Sequence, residues 1–398
     1  MNVFEVMVRL KDDILHVIIG GPRIETGDVK YRRLRFGEYL CNISTTSQVL
    51  WVYSKNSSLS NFGRTNTVSL PEAYAERLKC KFTSWEISDI KYIGANWESL
   101  QKILLRRLVK TIRDYPAKYK VLWYTLPRYS LLSKLISWDR VVYDCSDYWI
   151  GQYEGSSWID KKLKDRVYRS EFSICNNVDF AFTSSSYLKD WLNKEYGIEA
   201  EIIENGVDYI NFNRKVLPND ELLKIPSPRL GFVGSMNRYK IDFSLLYEIA
   251  KTKKKWSFIL IGPLAHVESD IPDFKKLIDL NNVYYLGKKD PSEIPMYMQF
   301  LDVGLLPYRE ADFNLGVFPL KMFEYLAVGL PVVGCGLPST LNYANSGIYY
   351  HTYAKKENFI KACVEALEID FDREIRKGIA KREDWRNKFE KMYYHLFD

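Results

Sequence analysis

Short continuous apolar runs, separated by stretches with helical spacing, recur along most of this chain. ILHVIIG (14–20), closed by Gly20-Gly21, predicts a buried strand. KYRRLRFGEYL (30–40) predicts a helix with Leu34, Phe36 and Leu40 as its apolar residues. SQVLWVYSK (47–55), KVLWYTLP (120–127), RVVYDCSD (140–147) and VDFAFTSSS (178–186) predict further strands. SYLKDWLNKEYG then reads as a helix stopped by Gly197. Strand and helix in alternation predict a parallel sheet with helices on both faces, and strands covered on both faces read as apolar runs.

The rhythm breaks at RKVLPNDELLKIPSP (214–228), which holds three prolines and reads as an interdomain linker. It restarts with PRLGFVGS, WSFILIGP, NVYYLGK, LDVGLLPY, LPVVGCG and GIYYHTY, a second complete set. The closing REDWRNKFEKMYYHL is an amphipathic helix. The expected fold class is therefore α/β, with two doubly wound domains. The first covers 1–213, 214–228 links them, and 229–379 forms the second. Ligands of such sheets bind beyond the carboxyl ends of the strands, so the chemistry is expected on those loops, in a cleft between the domains.

Composition narrows the classes. A chain of 398 residues suits two domains, and 46% hydrophobic with 27% charged residues excludes disorder. No apolar run approaches the ~20 residues of a membrane-spanning helix. MNVFEVMVRLKDD carries charges within its apolar stretch, unlike a signal peptide. Six scattered cysteines without a CxxC pattern predict reduced, mostly buried thiols in a cytoplasmic protein, and four dispersed histidines argue against zinc. Residues 1–215 hold 32 Lys+Arg against 26 Asp+Glu, so the net charge of +7 lies almost wholly in the first half. That excess is modest and no nucleic-acid-reading motif accompanies it.

Several loops carry candidate chemistry. In GFVGSMNRYKID, Gly234 and Ser235 end a strand where the backbone can approach a phosphate at a helix start, although a plain tight turn has the same signature. FPLKMFEYLAVGLPVV puts Lys321 and Glu324 three apart on one helix face. Such a pair suits a nucleotide-sugar, with the acid accepting from ribose hydroxyls and the lysine meeting the diphosphate; a surface ion pair is the bland alternative. VVYDCSDYW ends its strand in Asp144, read as structural, and Asp147, read as a candidate general base or a polar cap. Arg32 and Arg33 follow the first strand and are candidate contacts for an anionic acceptor or donor group. Residues 101–120 carry seven Lys+Arg and one acid on an amphipathic pattern, which suits an anionic membrane surface or a core helix with a wet basic face. The DxD at 370–372 lies away from any strand end and is set aside as a metal site.

In order along the chain, NGVD (205–208), GFVGS, ILIGP, NVYYLG, IPMYMQFLDVGLLPY and KMFEYLAVGLPVV resemble the donor half of the GT-B glycosyltransferases related to family 4. The resemblance runs over 178–398 and is looser before it. It is strongest to bacterial exopolysaccharide and teichuronic-acid transferases, TuaH-type proteins and GumK-type glucuronosyltransferases among them. It implies a transfer from a nucleoside diphosphate sugar, UDP-linked by preference, to a lipid-linked or polysaccharide acceptor, without a metal. It implies that Glu324 binds the donor ribose and Lys321 the diphosphate, that Gly234 and Ser235 lie under the pyrophosphate, and that the backbone of Gly287, Lys288 and Lys289 frames the uracil. Tyr308 falls near the diphosphate and sugar, and a helix at about 380–398 crosses back to the first domain. The sequence departs from the pattern at Gly316, eight positions before Glu324, where retaining enzymes carry a glutamate. Asp147 matches the candidate base of GumK-like enzymes, so the expectation is inversion. A retaining transferase or an epimerase of the same fold is the alternative, and a non-catalytic nucleic-acid- or membrane-binding protein is the rival of another class. The expected location is cytoplasmic, at the inner face of the membrane if the basic stretch docks there.

Overall fold

The computed structural model describes residues 13–21, 23–24, 31–89, 94–153, 157–217, 220–265, 271–369 and 371–397. The opening segment before Asp13 and Asp370 of the DxD lie outside these. The chain divides into two units, Met1–Glu204 with Phe389–Asp398, and Asn205–Lys388.

The first unit is built on an eight-stranded sheet of order β3-β4-β2-β1-β5-β6-β7-β8. Its strands are β1 (Ile14–Ile19), β2 (Gln48–Asn56), β3 (Thr65–Val68), β4 (Lys81–Asp89), β5 (Tyr119–Tyr124), β6 (Arg140–Cys145), β7 (Phe180–Thr183) and β8 (Glu201–Ile202). All pairs are parallel except β3 with β4. All six β1 side chains are buried, as an apolar central strand requires. Helices α1 (Arg32–Ile43), α2 (Glu98–Arg113), α3 (Trp158–Cys175) and α4 (Ser186–Tyr196) belong to this unit. Gly197 ends α4 at φ 67, the left-handed cap its position in sequence predicts.

The second unit holds a six-stranded parallel sheet of β9 (Arg229–Val233), β10 (Ser257–Ile261), β11 (Val283–Tyr285), β12 (Val303–Pro307), β13 (Val332–Cys335) and β14 (Tyr349–His351). Its order, β11-β10-β9-β12-β13-β14, reverses direction between β9 and β12. That reversal is the topological switch point at which sheets of this kind bind ligands. Helices α5 (Phe243–Thr252), α6 (Leu320–Ala327) and α7 (Lys356–Glu368) follow strands of this sheet, and α8 (Arg373–Arg382) packs on α6.

Two expectations are corrected. The chain passes between units at Glu204/Asn205, and the supposed linker instead packs in the second unit, where Leu222 and Ile225 are buried in the core. The segment breaks the strand–helix rhythm without leaving the second unit, and Pro226 in it is exposed beside the buried Ile225. Cys41 and Cys80 form a disulfide, so the thiols are not all free; Cys145, Cys175, Cys335 and Cys363 are free and buried. Of the two readings open for residues 101–120, α2 shows the buried apolar face and wet basic face of a core helix. Leu104, Leu105, Leu108 and Ile112 are buried in the first unit, while Lys102, Arg106, Arg107 and Lys110 are exposed.

Candidate functional site

In the second unit the carboxyl ends of β9, β10 and β12 are tied into one place by backbone contacts. Gly234 N–H donates to Ile261 at 2.8 Å, and Gly262 N–H to Gly287 at 2.9 Å. Bridges join Met236 to Leu264 and Ile241 to Tyr308, so the turn after β9 runs against the ends of its two neighbours. Gly262 adopts φ 144, and a Cβ there would lie 1.8 Å from the Gly234 carbonyl oxygen. Two turns approach so closely only because neither carries a side chain at the contact. Asn314, wholly buried, donates from its amide to the carbonyls of Lys240 (3.1 Å) and Arg309 (2.9 Å), which fixes the loop after β12 to the same turn.

Helix α6 presents its first turns here. Tyr325 clips it to β9, donating to the Gly231 carbonyl at 3.0 Å and accepting from the Val233 N–H at 2.9 Å. The residue before Tyr325 is Glu324, whose Oε2 lies 2.6 Å from Lys321 Nζ. Both side chains are mostly buried, so this is more than a solvated i,i+3 pair. Burial pushes the Tyr308 phenol up to about 12, and the negative charge of Glu324 adds to it. Pro319 precedes α6 and gives it no side-chain cap, so the first-turn N–H groups keep their capacity for an anion. Ser235 is exposed on the turn. Gly287 holds a left-handed φ of 67, and Lys288 after it is exposed. Lys289 is committed elsewhere: its ammonium meets Glu221 at 3.0 Å and lies over the Tyr297 ring.

In the first unit, Asp144 and Asp147 separate cleanly. Asp144 is buried in β6 and takes a bidentate pair from Arg32, Nε to Oδ2 and Nη2 to Oδ1 both at 2.8 Å. Arg32 Nη1 donates to the carbonyls of Ile203 and Glu204, and Nη2 also reaches Met392 Sδ at 3.5 Å. All five guanidinium donors are engaged within the unit. Arg32 is therefore a structural clamp, which corrects its reading as an anion contact. Asp147 stands two residues beyond β6, half-buried, on a loop held by Ser184, whose hydroxyl donates to the Ser146 carbonyl at 3.0 Å. Tyr148 anchors the same loop edge-on against Trp191. Burial pulls the Arg33 guanidinium below its ordinary value, opposed chiefly by the charge of Asp147. The fold thus brings Arg33 and Asp147 together and takes Arg32 and Asp144 out of contention.

A curated relative, the putative teichuronic acid biosynthesis glycosyltransferase TuaH of Bacillus subtilis (strain 168), is 33% identical over 393 residues, covering 96% of this chain and 97% of its own. The chain belongs to the group 1 glycosyltransferases. Residues 227–368, which contain the whole β9–β12 site and α6, match the family model described as glycosyl transferases group 1. Among solved structures, Anabaena HepE in complex with UDP superposes with a TM-score of 0.68 at 15% identity, over 96% of this chain and 99% of its own. Sucrose-phosphate synthase from Thermosynechococcus elongatus gives 0.67 at 14%, over 97% and 99%. These likenesses show the GT-B fold.

Within this glycosyltransferase the structure gathers Gly234, Gly287, Tyr308, Lys321 and Glu324 at the carboxyl end of one sheet, and Arg33 with Asp147 at that of the other. Gly316 ends a short helix, Asp312–Leu315, ahead of α6 and brings no carboxylate there. Sequence reasoning missed the Tyr325 clip and Asn314. The first has a signal, a tyrosine directly after the candidate ribose acid; the second has none. Asp372 of the DxD caps α8 through its side chain, accepting from Glu374 N–H at 2.8 Å. NGVD is likewise a packing motif: a Cβ on Gly206 would sit 2.7 Å from the Glu383 carbonyl oxygen, and Asp208 caps the short helix after it.

Proposed function

We propose that this glycosyltransferase moves a sugar from a UDP-sugar to a lipid-linked or polysaccharide acceptor in cell-surface glycan assembly, of the teichuronic-acid kind named for its relative, and that it inverts the anomeric centre. The observation that carries the donor half is the mostly buried Lys321–Glu324 pair on a helix clipped to β9, with the Glu324 charge acting on Tyr308. Glu324 accepts from the ribose hydroxyls, and Lys321 turns to the diphosphate. Lys321 and the uncapped start of α6 stabilise the negative charge that develops on the leaving UDP, so no metal ion is required. Ser235 and the turn glycine Gly234 lie under the pyrophosphate, and the backbone at Gly287–Lys289 frames the uracil.

Asp147 removes the proton from the acceptor hydroxyl as that oxygen attacks the anomeric carbon from the face opposite UDP. The new bond forms as the bond to the diphosphate breaks, which inverts the configuration. Gly316, bare where a retaining enzyme has its acid, supports this direction. Glucuronosyl transfer is the donor specificity we favour. The exposed cations of α2 dock the protein on the anionic inner face of the membrane, where a lipid-linked acceptor is held. UDP release from a panel of UDP-sugars, with NMR of the anomeric product, tests the whole reading. Retention of the donor's configuration rejects inversion, and release from no UDP-sugar rejects the donor class.

A further inference from the structure

Arg32 and Arg33 are neighbours in sequence with opposite circumstances. Arg32 has every donor engaged, whereas Arg33 Nη1 is shut off from solvent with no hydrogen-bond partner among the described residues. A guanidinium donor out of water with nothing to donate to is unfavourable, and such a group in a native fold calls for a ligand. The surroundings of Arg33 are built. A Cβ on Gly21 would lie 3.2 Å from Arg33 Nε, so the guanidinium packs closely over this glycine. Its Cζ stands 5.7 Å from the Trp149 ring centre, and that ring belongs to the 3-10 turn just after Asp147.

The charges around it do not balance. Asp147 attracts Arg33, Arg128 repels it, and the other nearby acid, Asp144, is already neutralised by Arg32. Among the described residues, Arg33 thus lies in the field of one like charge, Arg128, and one available carboxylate, Asp147. Arg128 is held in place by its neighbour Tyr129, which is fully buried, bonded to Ser54 at 2.7 Å, and fixed at a φ of 55.

We propose that Arg33, with Arg128 adding positive charge, seats an oxyanion carried by the acceptor, a sugar carboxylate or a phosphate, next to the base Asp147. This rests on the reading of Asp147 as the acceptor's base, and it names the acceptor's class as anionic. An oxyanion supplies the acceptor atom that Nη1 lacks, in the planar geometry a guanidinium fits. It also offsets the two cations beside Asp147. The carboxylate then becomes a stronger base when the acceptor is in place, so proton removal is tied to correct occupancy.

The test is calorimetry on the full chain with saturating UDP, which fills the donor site. The probes are methyl β-glucuronide, methyl β-glucoside and inorganic phosphate. The glucuronide or phosphate is expected to bind at least tenfold more tightly than the glucoside. Arg33→Gln is expected to abolish that difference, and Arg33→Lys to keep part of it, with UDP affinity and melting temperature as controls of folding. A preference for the glucuronide identifies a carboxylate as the natural anion, and a preference for phosphate a phosphorylated acceptor. Anions that bind no better than the glucoside, or a preference that survives in Arg33→Gln, overturn the proposal. Normal UDP affinity in that case leaves the donor reading standing, whereas a wild-type chain that fails to bind UDP sinks the donor reading alone.

Discussion

Replacing Glu324 by alanine probes the donor site through its best-defined pair. The carboxylate is only 13% exposed and holds Lys321 Nζ at 2.6 Å. In the proposed complex it accepts from two ribose hydroxyls. Hydrogen bonds to a charged group contribute about 1.5–3 kcal/mol each, so two amount to about 3–6 kcal/mol. Binding also loosens the hold of Glu324 on Lys321, a cost the variant escapes, which offsets about 1–2 kcal/mol for a mostly buried pair. The net loss is about 2–4 kcal/mol, or a UDP Kd raised about 30- to 900-fold. Glu324→Gln keeps an acceptor oxygen without the charge and is expected to fall between. Calorimetric titration with UDP reads the affinity, and thermal unfolding of each variant shows that it folds. A folded Glu324→Ala that binds UDP within threefold of the wild type would remove Glu324 from the site.

Asp147→Asn preserves shape but not basicity, so turnover should drop by about two to four orders of magnitude while UDP affinity holds; near-normal turnover rejects the assignment. Arg32→Ala leaves Asp144 charged and unpaired in the core, and urea unfolding should show about 3–5 kcal/mol lost; a loss under 1 kcal/mol would contradict the clamp. His16 is wholly buried, its Nδ1 accepting from Trp123 at 3.2 Å, and burial holds its pKa at about 3 against an ordinary 6.5. The unfolded chain takes up a proton that the folded chain refuses. The contribution of His16 is therefore complete above pH 6.5 and drains by about 1.4 kcal/mol per pH unit on the way down to 3. His16→Leu should flatten that slope, and equal slopes would refute the account. Flotation should recover the protein with anionic vesicles, less at high salt, and the charge reversal of Arg106 and Lys110 to Glu should reduce it; equal recovery on neutral vesicles counts against docking.

The strands that could be read in advance are those whose buried positions are mainly apolar, β1, β5, β10 and β12 among them. β4 was not legible because four of the six residues it buries are polar: Ser84, Glu86, Ser88 and Asp89. Those residues find partners only in the folded sheet, as when Tyr53 donates to Glu86 at 2.9 Å and Asp89 accepts from the N–H groups of Gly94 and Ala95. Glu171 misleads in the same way. It reads as one more acid on a charged helix, yet it is buried beneath Tyr143 and Tyr196, which both donate to it. The Lys321–Glu324 pair could be picked out because its spacing is local, three apart on one helix. Arg32 and Arg33 were indistinguishable, since one step along a helix decides which meets Asp144, and sequence does not say where that carboxylate lies.

The first unit takes its last pieces from the end of the chain. Phe389 packs on Phe36, Tyr393 lies beside His16, and His395 meets Phe182. The second unit is one continuous stretch, Asn205–Lys388. On the ribosome, the half that emerges first must therefore wait. Its sheet can assemble early, but the patch around Phe36, Trp123 and Phe182 stays open until residues 389–397 leave the exit tunnel, after the second unit has already become available for folding. A nascent chain stalled just short of that point would display those aromatics to chaperones, and a chain cut before Phe389 would injure the first unit rather than its own neighbourhood in sequence.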